Sequence, residues 1–282
     1  MNEINPFVTA ENVTYRYPDG TVALRDINLK ISEGEFIALI GQNGSGKTTL
    51  SKCLNGLFKP TEGRILVDGL DTRHTSITKM AVRVGYVFQN PDHQLFNSTV
   101  WDEIAYGPRN IQLPEAEVKE RVLEAAEVVG LDESTFEQHP FFLPKGLRQR
   151  VAIASILALR PHMIIVDEPT TGQDVKQSLE IMDFLTRLHE ERGHIIVIIT
   201  HDMPIVARYA KRTILMAHSQ ILADGPTRSV FAQTDVLAEA FVEPPQITQL
   251  AQRAADLGFA PGTLSVEEML EQFESIAARR GR

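Results

Sequence analysis

Residues 41–49 read Gly41-Gln42-Asn43-Gly44-Ser45-Gly46-Lys47-Thr48-Thr49 and lie between an unbroken apolar run over 36–40 and an apolar-periodic stretch over 47–57. They match the phosphate-loop pattern at every defined position. The residue types follow from what a phosphate needs. Glycines let consecutive backbone N–H groups curl around an anion, where Cβ atoms would obstruct them. A helix that starts directly after the loop adds the positive end of its dipole. In such a loop Lys47 reaches the β- and γ-phosphates of a nucleotide, and the Thr48 hydroxyl is placed to ligate Mg²⁺. The pattern by itself arises by chance; in a strand–loop–helix context it rarely does.

The run over 36–40 has no polar alternation, as expected of a strand buried on both faces. On its N-terminal side, 7–14 and 22–31 alternate apolar and polar residues around the turn cluster Tyr17-Pro18-Asp19-Gly20. On its C-terminal side, 64–67 and 83–88 read as further strands. Helical spacing follows over 100–106 and 115–129, punctuated by Pro108, Pro114 and Gly130, and again over 148–159, before Arg160-Pro161. A strand over 163–166, a helix over 178–188 and a strand over 195–199 come next, and short strands at 213–217 and 220–223 close the main domain near 232. The predicted fold class is α/β: a parallel core with an N-terminal antiparallel β layer, an inserted helical subdomain at about 90–160 and a small C-terminal helical extension. The expected boundaries are 1–240 for the main domain and 241–282 for the extension, divided near Glu243-Pro244-Pro245. In that extension Leu250, Ala254 and Leu257, and then Met269, Phe273 and Ile276, recur near helical spacing. Such a face serves a second subunit or packs back on its own domain.

Composition narrows the classes. The 282 residues are 43% hydrophobic and carry a formal net charge of −9. An acidic chain gains nothing from the phosphate field of DNA or RNA, so no nucleic-acid partner is expected. The single cysteine, Cys53, forms no intramolecular disulfide and sits among apolar-periodic residues as a buried inert thiol. The first ten residues show no basic segment followed by an apolar one. The longest apolar runs fall far short of the roughly 20 residues that cross a bilayer. A soluble chain is expected, linked to any membrane through a partner.

Two further strand ends carry candidate chemistry. The apolar run over 163–166 delivers Asp167 and Glu168 where ligands bind in parallel sheets. There Asp167 can hold a Mg²⁺ shell, and Glu168 can polarise a water for in-line attack on a γ-phosphate. The run over 195–199 ends in Thr200-His201-Asp202, which sets His201 on the same side of the sheet.

In this order the pieces resemble an ABC-type ATPase, over nearly the whole chain. The resemblance implies ATP and Mg²⁺ as cofactors, with Lys47, Asp167, Glu168 and His201 on the family's functional positions. It implies that an aromatic of the β layer stacks on adenine, Tyr17 being the best match and Tyr15 the fallback. Gln89, in Tyr86-Val87-Phe88-Gln89-Asn90, matches the glutamine that ligates Mg²⁺ and relays contact with a membrane subunit. Thr171-Gly172-Gln173-Asp174 matches the loop that crosses to a second ATPase subunit. In that family each ATP lies between one subunit's phosphate loop and the other's signature segment, usually LSGGQ. Here the matching stretch is Leu143-Pro144-Lys145-Gly146-Leu147. Pro144 offers neither a hydroxyl nor an N–H, and Leu147 lacks the terminal amide. Gly146 survives, and Lys145 brings a positive charge able to compensate. Because the damage is one-sided, the expected assembly is a heterodimer with a non-identical partner that carries an intact signature. A homodimer with Lys145 as substitute is the alternative.

Asn90-Pro91-Asp92-His93-Gln94-Leu95-Phe96 and the tail segment Glu243-Pro244-Pro245-Gln246-Ile247-Thr248-Gln249-Leu250-Ala251 are similar to those of energy-coupling-factor importers of vitamins or transition-metal ions. That similarity implies a transmembrane coupling protein and a substrate-binding membrane subunit as partners. It places the chain at the cytoplasmic face of the membrane, with 93–96 receiving a helix of the coupling protein. The alternatives are another ABC importer, a non-transport ABC ATPase, or a nucleotide-binding regulator.

Overall fold

The computed structural model describes residues 6–280. The outer ends of both expected domains, 1–5 and 281–282, lie outside the described residues. The chain runs β1 (Val8–Arg16), β2 (Val22–Ile31), β3 (Phe36–Ile40), α1 (Lys47–Leu54), β4 (Glu62–Val67), β5 (Leu70–Asp71), α2 (Ile77–Ala81) and β6 (Val84–Val87). It continues through α3 (Val100–Asn110), α4 (Glu115–Val129), α5 (Lys145–Leu157), β7 (Met163–Asp167), α6 (Val175–Arg192), β8 (Ile195–Ile199) and α7 (Met203–Tyr209). It ends with β9 (Arg212–Ala217), β10 (Gln220–Pro226), α8 (Thr227–Phe231), α9 (Thr234–Glu239), α10 (Gln246–Arg253) and α11 (Val266–Arg280).

Two sheets result. The first is antiparallel, in the order β2-β1-β4-β5, and the second runs β10-β9-β3-β8-β7-β6. In the second sheet β9, β3, β8, β7 and β6 are mutually parallel, and β10 is an antiparallel edge. The apolar runs become its central strands because side chains alternate across a strand, so a strand covered on both sides needs apolar residues at every position. Phe36, Ala38 and Ile40 enter one core together with Ile164, Val166, Ile196 and Ile198. Ile37 and Leu39 enter a second core with Ile165, Val197 and Ile199, under α1 and the antiparallel layer.

The helical insertion has no separate core: Ile104, Val118, Val122, Val151 and Ile153 share the first core with β3, β7 and β8. Helix α3 runs through Pro108 rather than stopping there. The proline lies in the last turn, where its missing N–H costs one bond, and the helix closes with Ile111 N–H donating to Gly107 O at 3.1 Å. Helix α5 starts three residues before the expected Arg148, at Lys145, with Pro144 at its N-cap. Helices α2, α7, α8 and α9 are short, five to seven residues each, too brief for a periodic signal.

Register puts the site in place. Leu39 lies opposite Ile199, Val166 opposite Ile198, and Val87 opposite Val166. The carboxyl ends of β3, β6, β7 and β8 therefore line up, and the loops after them open on one side of the sheet.

Candidate nucleotide site

The loop between β3 and α1 turns on three left-handed glycines, Gly41 (φ +142°), Gly44 (φ +81°) and Gly46 (φ +108°). A Cβ at Gly41 would come within 2.1 Å of Met216 O, and one at Gly46 within 2.5 Å of Ala23 O. Only glycine fits this close approach of backbone to backbone. Gly46 caps α1 in the left-handed conformation with no side-chain bond to the first turn, and no acidic residue occupies that turn. The first N–H groups of α1 are thus left to an anion. Ser45 supports the same reading, since its buried hydroxyl has no hydrogen-bond partner. Its amide donates to Gln42 O at 3.1 Å, which closes the turn.

Lys47 is buried and donates from Nζ to Gly41 O at 2.7 Å and Gln42 O at 2.8 Å. Burial pushes its pKa below the ordinary lysine value, and the carboxylates of Glu168 and Asp167 pull it back up. Asp167, at the end of β7, accepts a 2.6 Å hydrogen bond at Oδ2 from the Tyr86 hydroxyl. Burial raises the Asp167 pKa, and the Tyr86 bond and nearby Lys47 oppose that rise. The Tyr86 hydroxyl is itself pushed up by burial and by Asp167, so it stays a proton donor.

Glu168 sits at φ +51°, a left-handed conformation rare for a residue with a side chain. Its amide donates to Ile199 O at 2.8 Å. Its carboxylate is held at both oxygens: Oε1 lies 2.9 Å from His201 Nδ1, and Oε2 accepts from Thr171 Oγ1 at 3.2 Å. The carboxylate requires the proton on Nδ1, so Nε2 of the exposed His201 ring points away from Glu168.

Tyr17, Asn43, Gly44, Gly46, Lys47, Thr48 and Thr49 meet Gln89, Asp167, Glu168 and His201 around one cleft of about 480 Å³. Gly41, Gln42 and Ser45 do not line it; the Gly41 and Gln42 carbonyls hold Lys47 instead. Tyr17 reaches the cleft and its hydroxyl pairs with Thr49 Oγ1 at 2.9 Å. The fallback, Tyr15, is committed elsewhere, with its ring stacked on Phe58 at 5.1 Å and 5°. Thr48, Gln89 and Asp167 offer a hydroxyl, a side-chain amide oxygen and one carboxylate. These hard oxygen donors suit Mg²⁺, which takes few protein ligands when phosphates supply the rest. No group of three or more His, Cys, Asp and Glu residues able to hold a metal by themselves exists among the described residues.

The other segments lie outside the cleft. Asp174 caps α6, accepting at Oδ1 from Gln177 N–H at 2.8 Å. Pro144 and Leu147 lie at the start of α5, beside a second cleft of about 580 Å³ between α4, α5 and α6. Lys145 is exposed there, and its Nζ lies against the carbonyls of Thr171 and Gly172 on its own chain. Tyr86 and Thr171 fall inside segments matched in the sequence, but the match gives neither of them a role at the site; their bonds to Asp167 and Glu168 carry no local signal.

A glycine cradle at a helix start, with acidic residues ending a parallel strand two places away in the same sheet, defines a P-loop nucleotide-binding cassette. The chain belongs to the ABC transporter family, whose model matches residues 24–171 and whose cassettes bind ATP. It is 50% identical over 263 residues to a putative ABC transporter ATP-binding protein of Caldanaerobacter subterraneus, covering 93% of this chain and 45% of that protein. It is 42% identical to the energy-coupling factor transporter ATP-binding protein EcfA2 of the same organism, across 94% of this chain and 95% of the relative. The chain thus spans about half of the first relative and nearly all of the second. Among solved structures, cbiO1 from Clostridium perfringens, part of the ABC transporter complex cbiONQ, superposes with a TM-score of 0.75. The two are 37% identical over 87% of this chain and 98% of that one. No helix among the described residues is long and apolar enough to cross a membrane.

Proposed function

We propose that this chain hydrolyses ATP to power an energy-coupling-factor importer of vitamins or transition-metal ions, at the cytoplasmic face of the membrane. The carrying observation is the Glu168 carboxylate, fixed by His201 and Thr171 in a strained turn beside Lys47 and Asp167. Glu168 orients a water and takes its proton as the oxygen attacks the γ-phosphorus in line. Lys47 leaves the loop carbonyls for the β- and γ-phosphates, and His201 Nε2 faces the charge that builds on the γ-phosphoryl oxygens. Tyr17 supports the adenine. Thr48, Gln89 and Asp167 would hold Mg²⁺, which when bound neutralises charge on the β- and γ-phosphates.

The names of the relatives support the transport reading, as does the cbiONQ complex of the structural neighbour. By that reading a transmembrane coupling protein and a substrate-binding membrane subunit complete the assembly. A second ABC ATPase with an intact signature faces this chain's nucleotide. That pairing follows from the contrast between the site here and the start of α5, where Pro144 and Leu147 leave a partner's γ-phosphate little to bond. In this reading 1–240 is the ATPase domain, and the extension over 241–282 brings two subunits together.

Steady-state ATPase of the purified chain, with Glu168→Gln as control, tests the reading. A second copy carrying Pro144→Ser, Lys145→Gly, Leu147→Gln and Glu168→Gln supplies a restored signature without turnover of its own. Slow hydrolysis by the chain alone and at least about tenfold faster hydrolysis with that copy are expected. Full turnover by the chain alone, unchanged by the copy, would exclude the pairing with a non-identical subunit. No Glu168-dependent turnover in either sample would exclude the ATPase.

A further inference from the structure

The start of α5 grips the loop that follows the candidate base. Lys145 Nζ lies 3.4 Å from Thr171 O and 3.5 Å from Gly172 O, one ammonium between two adjacent carbonyls. Gly172 is left-handed at φ +73°, and a Cβ there would stand 2.5 Å from Nζ, so the lysine occupies the space that a side chain at 172 would take. One turn further along α5, the buried Gln149 donates from Nε2 to Pro169 O at 3.4 Å and accepts from Gln173 Nε2 at 3.3 Å. The loop over 169–173 is therefore held at both ends by one helix. From the middle of that loop Thr171 Oγ1 donates to Glu168 Oε2, and the other Glu168 oxygen meets His201.

We propose that Lys145 is a positioning residue for hydrolysis on its own subunit: by holding the Thr171 and Gly172 carbonyls it keeps Thr171 on Glu168 and so aims the base. The inference rests on the ATPase reading above. The contact is long for a hydrogen bond, and its strength comes from a full charge facing two backbone dipoles. Glu168 needs such support, because a left-handed conformation at a non-glycine residue persists only when its surroundings impose it. The lysine thus acts on the ATP bound to its own chain, not on the nucleotide that α5 faces across a dimer.

The test uses pairs of two differently tagged full-length copies. The silent copy carries Pro144→Ser, Lys145→Gly, Leu147→Gln and Glu168→Gln, so only the other copy hydrolyses. Lys145→Met on the hydrolysing copy should lower kcat about tenfold while KM for ATP stays within about twofold, and Lys145→Arg should restore kcat. Hydrogen exchange in the full chain should rise about fivefold at amides 171–174 in Lys145→Met and return in Lys145→Arg. In this pair the nucleotide opposite Lys145 is never hydrolysed, so a role across the interface leaves kcat unchanged. Unchanged kcat, or unchanged exchange at 171–174, overturns the proposal. Absence of turnover in the pair with unsubstituted Lys145 overturns the ATPase reading instead.

Discussion

Asp167 shows how much of a site depends on residues that do not touch the ligand. Its Oδ2 is held by the Tyr86 hydroxyl across two adjacent strands, and the register that sets Val87 opposite Val166 places the two side chains together. Removing that hydroxyl frees a carboxylate that would ligate Mg²⁺. Tyr86→Phe should raise the Mg²⁺ concentration for half-maximal ATPase about tenfold, with the ATP affinity measured at saturating Mg²⁺ little changed. An unchanged Mg²⁺ titration would separate Tyr86 from the metal. The contrast with Lys47 is instructive. The glycines, lysine and threonine of the loop are readable because a phosphate needs backbone N–H groups, a cation and a hydroxyl at fixed spacing along one chain. Tyr86 and Thr171 act through pairings set by sheet register and by one strained turn, which leave no mark in local sequence.

At the level of elements, the segment expected to receive a membrane partner is built onto the helical layer by polar bonds. Glu103 of α3 is buried, and its Oε2 accepts from Phe96 N–H, Asn97 N–H and Asn97 Nδ2 at 2.9, 2.7 and 3.2 Å. Gln94 Nε2 donates to Ala152 O at 2.7 Å, and Arg148 pairs with Asp92 at 2.8 Å, so the same segment also rides on α5. Phe96 is left exposed, edge-on to Tyr106 at 4.8 Å. Glu103→Ala strands three donors and should cost about 3 kcal/mol in urea unfolding, while Glu103→Gln keeps an acceptor and should cost about 1 kcal/mol. Equal losses would mean that the carboxylate only fills space. A second element-level device lies between α6 and β8. His194 Nδ1 donates to Pro161 O at 2.8 Å, and burial lowers the ring's pKa against that bond. The folded state therefore resists protonation, whereas the unfolded chain takes up a proton near pH 6.5. This contribution is present in full above that pH and is lost as pH falls below it. The Tm of the wild type should fall more between pH 7.5 and 5.5 than that of His194→Asn, and parallel curves would remove His194 from the account. The periodic helices α4 and α5 were legible in the sequence because an apolar stripe on each faces the other helices of the layer and, for α5, the sheet at β6. The inward carboxylate of Glu103 and the half-buried ring of His194 were not, since burial of a polar group depends on partners far along the chain.

On the scale of the whole molecule, the extension after Glu243 has a docked inner face and an exposed outer face. Helix α10 packs inward through Thr248 and Ala251, both fully buried, and Gln252 Nε2 donates to Phe231 O at 2.7 Å. Arg228 of α8 ties the start of α11 by bonding Gly262 O at 3.1 Å and pairing with Glu268. Of the apolar stripe read from the sequence, Leu250, Leu257 and Phe273 are exposed, whereas Ala254, Met269 and Ile276 are half-buried; Leu270, outside that stripe and three residues before Phe273 on α11, is 57% exposed, as is Phe273. Helical spacing alone cannot choose between a face for the chain's own domain and a face for a second subunit, because both repeat every 3.6 residues. The structure turns Leu264, Met269 and Ile276 partly inward and leaves Leu270 and Phe273 outside. A dimer of ATPases that separates and closes around ATP gains from a contact that stays made, and an apolar patch on a docked extension supplies one. Leu270→Glu with Phe273→Glu should therefore weaken self-association or pairing at least about tenfold by sedimentation, since even one interface residue of moderate weight contributes that much. ATP binding to the separate chain should stay within about twofold, because neither residue lines the nucleotide cleft. Truncation after Glu243 is the blunter test, as it also strips α10 from Phe231 and should lower Tm where the double substitution does not. Dimers of unchanged strength in the double variant would return the outer face of α11 to plain solvent exposure and move the pairing contact to the ATPase domains themselves.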